Sequence, residues 1–224
     1  MHRAIGELLP TALAVMLNPF PVIAMVLLMA SARGRRRGAA FTCGWMLGLS
    51  AQMALVLTFT NSTDAADGTS SALVDWLRVV VGALMIVWAA KKWGSRPRPG
   101  EEVVLPNWMA KIESVGVLGA FLVGLGLAGV NPKNFALTMA AAASITDLVS
   151  AGHDSVRAAI VFVLLSSLSV VGILVFHVVG GSRATSPLQE LKRFMVTNNA
   201  VLIMLVLLLL GAKILGDGLA ALGS

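Results

Sequence analysis

The chain has 224 residues, of which 57% are hydrophobic and only 12% are charged, and its formal net charge is +6 at pH 7. Soluble domains carry about 25% charged residues, so this composition excludes an ordinary soluble protein. The basic residues lie in short segments between long apolar runs. That pattern excludes a nucleic-acid groove and is typical of the loops of a membrane protein.

Six apolar segments are each long enough to cross a bilayer, since about 20 helical residues span its hydrocarbon core. Helix is predicted for all of them because lipid offers no hydrogen-bond partner to an open strand edge. The fold class is therefore predicted to be an all-α integral membrane protein. The six transmembrane helices are predicted at about 5–31, 39–60, 73–93, 117–146, 156–179 and 198–218.

The first predicted span contains the sequence Leu-Asn-Pro-Phe-Pro at residues 17–21. A proline inside a spanning helix removes one backbone hydrogen bond and clashes with the carbonyl group four residues earlier. Asn18 supplies a short donor and acceptor beside the freed carbonyl groups. The motif predicts a helix broken near mid-membrane, with Asn18, Pro19 and Pro21 in a substrate site. A purely structural kink is the alternative interpretation.

The second predicted span carries small residues at intervals of four, and Gln52 continues the series. Small residues at this spacing let helices approach closely. Packing is therefore the predicted role of this face, and Gln52 is predicted to add an interhelical hydrogen bond and is assigned to the substrate site. A second series precedes the other Asn-Pro motif; the two are Ala40, Gly44, Gly48 and Gly116, Ala120, Gly124, Ala128.

The fourth predicted span contains Asn131, Pro132, Lys133 and Asn134. Asn131-Pro132 predicts a second helix break, and all four residues are assigned to the substrate site. A charged lysine this deep costs about 2.5–3.5 kcal/mol on insertion scales, so Lys133 is predicted to face a cavity. Its predicted role is a counter-charge for an anionic substrate or a group that exchanges protons. Snorkelling to an interface is the alternative.

The two Asn-Pro motifs lie 113 positions apart, in corresponding places of two halves with three spans each. An odd number of spans per half requires the second half to enter the membrane upside down, and inverted repeats are typical of transporters. The predicted organisation is one repeat at 1–93, a cytoplasmic linker with an interfacial segment at 94–116, and a second repeat at 117–224. The two breaks are expected to meet.

Two later segments also carry predictions. The stretch 182–197 is predicted to hold a short interfacial helix, capped by Ser186 with Pro187 and Gln189 behind it. Twelve of the 17 Lys and Arg residues lie in the loops after the first, third and fifth spans. Because cytoplasmic loops are rich in Lys and Arg, these loops are predicted to be cytoplasmic and both termini extracytoplasmic.

The early Leu-Asn-Pro-x-Pro motif, the Gly-Trp-x-x-Gly at 44–48 after a basic cluster, and the later Asn-Pro-Lys-Asn resemble the lysine-exporter superfamily. Within it, nearly the whole chain is similar to the actinobacterial peptidoglycolipid- or sulfolipid-addressing proteins. The resemblance implies a plasma-membrane role in delivering glycolipids to a mycobacterial-type envelope, with large lipid exporters and lipid-biosynthesis enzymes as partners. The motif positions that it carries over are Asn18, Pro19, Pro21, Asn131, Pro132, Lys133 and Asn134.

Three functions remain open at this point. The chain is predicted to export a glycolipid or to assist its export; it is alternatively an exporter of an amino acid or other small solute, or a non-transporting accessory subunit of a larger lipid exporter. An enzyme is not expected, because the sequence shows no nucleophile–base pair, metal-ligand cluster or phosphate loop. No cofactor or metal is predicted, and a homodimer is left open.

Overall fold

The computed structural model of the protein describes residues 2–30, 33–63, 71–94, 111–112, 114–148 and 152–223. All regular elements in these ranges are helical, which confirms the all-α prediction for this part of the chain. They are α1 (His2–Met16), α2 (Pro19–Met29), α3 (Gly34–Thr63), α4 (Ser71–Gly94), α5 (Val117–Gly129), α6 (Pro132–Leu148), α7 (His153–Gly180), a 3₁₀ turn (Gly181–Ala184), α8 (Thr185–Thr197) and α9 (Asn199–Leu222).

Three of these helices, α3, α7 and α9, are long and apolar enough to cross a membrane. Within the described ranges the number rises to four if α1 and α2, which meet at an angle of 52°, count as one broken span. The predicted fourth span is divided into α5 with 13 residues and α6 with 17, each shorter than a span. The six-span inverted repeat therefore stays a prediction, as does the division into two repeats, whose linker lies mostly outside the described residues.

The directions of the helices follow from their contacts. α3 and α5 run in the same direction, since Gly44 lies against Phe121 and Gly48 against Ala128. α4 and α9 run in opposite directions, with Gly82 against Leu215. α7 lies along α1, α2 and α3. This arrangement puts the start of α3, the end of α4 and the whole of α8 at one end of the bundle, here called the basic end, where Arg35, Arg36, Lys91 and Arg193 are exposed.

Glycines make two of these helix contacts possible. A Cβ atom on Gly44 would overlap the backbone of Phe121, and one on Gly124 would overlap the carbonyl group of Phe41. The two predicted series of small residues therefore face each other, which confirms their packing role. Gly82 and Gly211 make a second close contact where α4 crosses α9: a Cβ atom on Gly211 would stand 2.9 Å from the carbonyl oxygen of Gly82.

The predicted interfacial helix is present as α8, but its predicted cap is wrong. The helix begins at Thr185, and Ala184 precedes it without any side-chain hydrogen bond to the first turn. Ala184 keeps a helical backbone between the 3₁₀ turn and α8, so Ser186 lies inside the first turn, where its hydroxyl group cannot act as an N-cap. Leu188 anchors α8 against the bundle and is 5% exposed.

At the end opposite the basic end, Lys213 joins two helices. Its amino group lies 3.1 Å from the carboxylate of Glu7 on α1 and 3.1 Å from that of Asp217 on α9. Lys213 lies near the end of the last predicted span, from which a long side chain can reach the interface. In the structure its amino group interacts with carboxylates on both α1 and α9. This interaction links the N-terminal half of α1 to α9.

Candidate functional site: a buried polar junction between two broken helices

The first helix break lies between Met16 and Pro19. Asn18 has an extended backbone, and its side-chain oxygen accepts a hydrogen bond from the backbone N–H of Phe20 at 3.3 Å. Pro19 and Pro21 lie in the first turn of α2, where a missing N–H leaves no helical hydrogen bond unmade. The motif thus ends one helix and starts the next, and both prolines are buried.

The second break repeats this geometry. Val130 and Asn131 separate α5 from α6, and Pro132 is the first residue of α6. The side-chain oxygen of Asn131 accepts a hydrogen bond from the backbone N–H of Lys133 at 3.0 Å. In both motifs the asparagine therefore caps the helix that its proline begins, by the same bond to the second residue after it.

The two breaks meet inside the bundle. The side-chain nitrogen of Asn18 donates to the side-chain oxygen of Asn134 at 3.4 Å. The side-chain nitrogen of Asn134 in turn donates to the carbonyl oxygen of Leu127, in the last turn of α5, at 2.9 Å. Asn18 is 1% exposed and Asn134 is fully buried. The side chain of Asn134 therefore hydrogen-bonds to a carbonyl group that the second break leaves without a helical partner. The same side chain links this carbonyl group to Asn18 at the first break.

Gln52 reaches the same place from α3. Its side-chain nitrogen donates to the carbonyl oxygen of Gly129, the last residue of α5, at 3.3 Å. Its side-chain oxygen accepts a hydrogen bond from the hydroxyl group of Thr138 on α6 at 2.8 Å. Gln52 thus bridges the two sides of the second break. We call Asn18, Gln52, Asn134 and Thr138 the polar junction.

Close helix packing delivers Gln52 to this position. Gly48 lies one turn before Gln52, and a Cβ atom there would stand 2.8 Å from the side chain of Ala128. The glycine lets α3 approach the end of α5, so that the amide of Gln52 reaches a backbone carbonyl group. Sequence reasoning did not assign Thr138. The signal was its position four residues after Asn134, which places both on one face of α6.

Lys133 lies beside the polar junction but takes no part in its hydrogen bonds. Its amino nitrogen is buried and has no hydrogen-bond partner among the residues that the structure describes. An ammonium group in this state is costly unless an anion approaches it. The amino nitrogen therefore does not reach open water; that Lys133 faces a substrate cavity stays a prediction.

A shallow depression of about 360 Å³ lies at the breaks. Phe20, from the first break, and Val130 and Asn131, from the second, line it together with Gly126 and Leu127. Residues of both motifs therefore share one surface, and Asn131 supplies its polar side chain. Apart from Pro132, whose side chain lies outside the described residues, the predicted site residues are all placed at or beside the two breaks. Whether they bind a substrate remains a prediction.

Comparison with known proteins gives one match. The family model described as "Sap, sulfolipid-1-addressing protein" matches residues 8–220, which includes both Asn-Pro motifs and every residue of the polar junction. No curated protein and no solved structure matches the chain.

Proposed function

The chain belongs to the sulfolipid-1-addressing protein family, and from that premise we propose that it exports an anionic glycolipid across the plasma membrane. The family name supports a sulfolipid as the class of cargo, whose headgroup is negatively charged. The proposed role is transport without chemical conversion. The single observation that carries it is the contact between Asn18 and Asn134, because it joins two oppositely directed broken helices in the interior of the bundle.

The proposed fold of the transporter is six spans in two inverted halves. In that arrangement α1–α2 and α5–α6 are the broken first spans of each half. The helix contacts support the proposal. In the first half, α3 lies along α5 of the second half, and in the second half, α7 lies along α1 of the first half. An inverted two-fold relation between the halves requires these two matching contacts. The contact between Gly82 and Gly211, on the third span of each half, fits the same axis. Transporters of this architecture carry their sites at such breaks.

Lys133 is proposed to attract the headgroup. A sulfate or other anionic group near its unpartnered amino nitrogen would compensate the buried charge. The polar junction is proposed to act as the hinge, because its hydrogen bonds connect the breaks to one another and to α3. During transport these hydrogen bonds would break and form again with other partners. The short helices on either side of the two breaks would then move relative to α3 and α7.

The proposed orientation places the basic end in the cytoplasm, because loops rich in Lys and Arg stay inside. Large lipid exporters and lipid-biosynthesis enzymes are proposed partners on that side. A second candidate function is an accessory subunit of a larger lipid exporter. The observation that favours it is the closed polar junction, whose four side chains are each at most 4% exposed. An exporter of small solutes is less well supported, since these polar groups bind one another.

The proposed function is tested by profiling surface lipids in a strain that lacks the protein, rescued with wild type, Lys133→Ala or the exposed control Lys91→Ala. We expect wild type and Lys91→Ala to restore the surface glycolipid, and Lys133→Ala to leave it inside the cell at equal protein level. Normal surface lipid with Lys133→Ala would remove this residue from the function.

A second measurement separates transporter from accessory subunit. Purified protein is reconstituted in vesicles that contain a sulfated galactolipid, and the movement of this lipid between leaflets is followed. A transporter accelerates the movement several-fold, and Lys133→Ala abolishes the gain. An accessory subunit leaves the rate at that of empty vesicles, even though the deletion strain lacks the surface lipid.

A further inference from the structure

A second cavity, of about 660 Å³, lies between α3 and α7, away from the polar junction. It is here called the lateral cavity. Its volume lies within the range of about 300–1,000 Å³ that is usual for small-molecule sites. Fourteen residues line it, and most are apolar: Met46, Ser50, Met53, Ala54, Leu57, Thr58, Gly152, His153, Ser155, Val156, Ala159, Ile160, Val163 and Leu164. Both helices are candidate membrane spans, so in a bilayer the cavity between them would lie largely at the depth of the hydrocarbon core.

The depth of the lateral cavity matches one leaflet. Its lining on α7 runs from Gly152 to Leu164, about 18 Å at 1.5 Å per residue. Half of a hydrocarbon core about 30 Å thick is about 15 Å. The lining begins at the first residues of α7, at the end of the bundle opposite the basic end. The lateral cavity therefore covers the depth of an acyl chain in the leaflet away from the basic end.

The lateral cavity, like a lipid, is polar at one end and apolar along the rest. The end farthest from the basic end, here called the outer end, is lined by Thr58, His153 and Ser155. The inner end is lined by Met46, Val163 and Leu164. Met46 and Met53 are flexible side chains that adapt to irregular apolar ligands. The apolar end would accept the chain and the polar end would lie at the level of the headgroup.

The outer end also offers hydrogen-bond donors to an anionic headgroup, although Arg157 and Asp154 together carry no net charge. Arg157 lies one turn after His153, on the same face of α7. Its guanidinium group donates to Asp154 at 3.0 Å, and its remaining N–H groups are available for a second acceptor, since a guanidinium has five. The side chain is well exposed. An anion above the lateral cavity would therefore meet a cationic donor as well as the imidazole ring of His153.

We infer that the lateral cavity is the exit site of the exported glycolipid: it holds one acyl chain between α3 and α7 while the anionic headgroup lies against His153 and Arg157. This inference rests on the proposed function, and it names where the lipid lies after crossing. Met53 lines the lateral cavity, and its neighbour in the chain, Gln52, bridges the second break.

Ala54 and Ala51 provide a matched pair of variants. Both are exposed alanines on α3, but only Ala54 lines the lateral cavity. Ala54→Trp is expected to fill the space without entering the core, and Ala51→Trp adds the same side chain outside it. Because both positions are exposed, both variants are expected to fold.

The experiment uses the full chain in phosphatidylcholine vesicles with a trace of sulfated galactolipid that carries a diazirine in its acyl chain. Phosphatidylcholine with the same labelled chain is the control probe. After irradiation, labelled peptides are mapped by mass spectrometry. We expect labelling by the sulfated probe at 46–58 and 152–164 to exceed that of the exposed α4 face at 80–88 several-fold. Ala54→Trp should lower it several-fold, and Ala51→Trp should not.

Three results would overturn the inference. Equal labelling of α4 and the lateral cavity would mean ordinary surrounding lipid, and equal labelling by phosphatidylcholine would mean a groove that does not select the cargo. Labelling unaffected by Ala54→Trp would place the lipid elsewhere. The vesicle measurement of lipid movement is independent of this mapping. A chain that labels as expected but moves no lipid would sink the transport proposal and leave the lateral cavity as a lipid-binding site only, whereas transport without preferential labelling would sink the exit site alone.

Discussion

The side-chain amide of Asn18 donates to the side-chain oxygen of Asn134 across 3.4 Å. These residues lie 116 positions apart, one at the start of α2 and the other in the first turn of α6. Asn134 also holds the carbonyl oxygen of Leu127. One buried side chain thus satisfies the backbone at its own break and fixes the distance to the other break.

The first prediction concerns Asn134→Leu, which keeps the approximate volume and removes both hydrogen bonds. It leaves the amide of Asn18 and the carbonyl group of Leu127 unpaired, at a cost of about 1–3 kcal/mol for each buried group. Unfolding in mixed detergent micelles should show a clear loss of stability. The control is Asn198→Leu, whose hydrogen bond to Phe194 is exposed and whose effect should stay within about 0.5 kcal/mol. Equal effects would contradict the polar junction.

The second prediction compares two glycines of α5. Gly124→Ala should destabilise the fold by about 1–3 kcal/mol, because its Cβ atom would overlap the carbonyl group of Phe41. Gly126→Ala meets nothing within 4 Å among the described residues, and it should gain up to about 1 kcal/mol from helix propensity. The two changes in stability, which are expected to have opposite signs, are measured by thermal unfolding in detergent. Two changes of the same sign would argue against the close contact of α3 and α5.

The third prediction separates stability from function at Lys133. Lys133→Met removes a buried amino group that has no hydrogen-bond partner in the described part of the chain. The thermal stability of the purified protein should therefore rise, because an uncompensated charge is lost. Glycolipid export should fall to the level of the deletion strain. A variant that is more stable and fully active would show that the charge has no role in transport.

The fourth prediction concerns the link between α1 and α9. Glu7→Gln and Lys213→Met, combined in a double-mutant cycle, should show a coupling of about 0.2–1 kcal/mol, as expected for a partly exposed ion pair. High salt should reduce this coupling, since exposed charges are screened. A coupling of zero at low salt would mean that Glu7 and Lys213, 3.1 Å apart in the structure, do not interact in solution.

Much of the polar junction follows from local rules. Proline alone does not decide a break, since Pro10 lies inside α1; it is the asparagine before Pro19 and before Pro132, a good N-cap residue, that makes both breaks predictable. The series of small residues predicted which faces pack but not which helix each face meets. That required the tertiary contact of Gly44 with Phe121.

Other features could not be predicted because they depend on partners distant in sequence. Threonine in a helix commonly bonds its own backbone, as Thr58 does to Ala54. The position of Thr138 four residues after Asn134 places both on one face of α6, but it does not reveal that the hydroxyl group reaches Gln52. The lateral cavity likewise arises between two helices whose sequences show only apolar faces.

The central claim is that the two Asn-Pro breaks meet in the membrane and must move for lipid to pass. Its most direct test is cross-linking of Asn18→Cys with Asn134→Cys, in a Cys43→Ser background, by a short-spacer reagent with two methanethiosulfonate groups. Asn18→Cys with Asn198→Cys serves as the distant control pair. The account predicts efficient cross-linking of the first pair only, and lower lipid export by this double variant when it is cross-linked than after reduction. A first pair that fails to cross-link in native membranes, or that exports lipid equally well when cross-linked and when reduced, would contradict it.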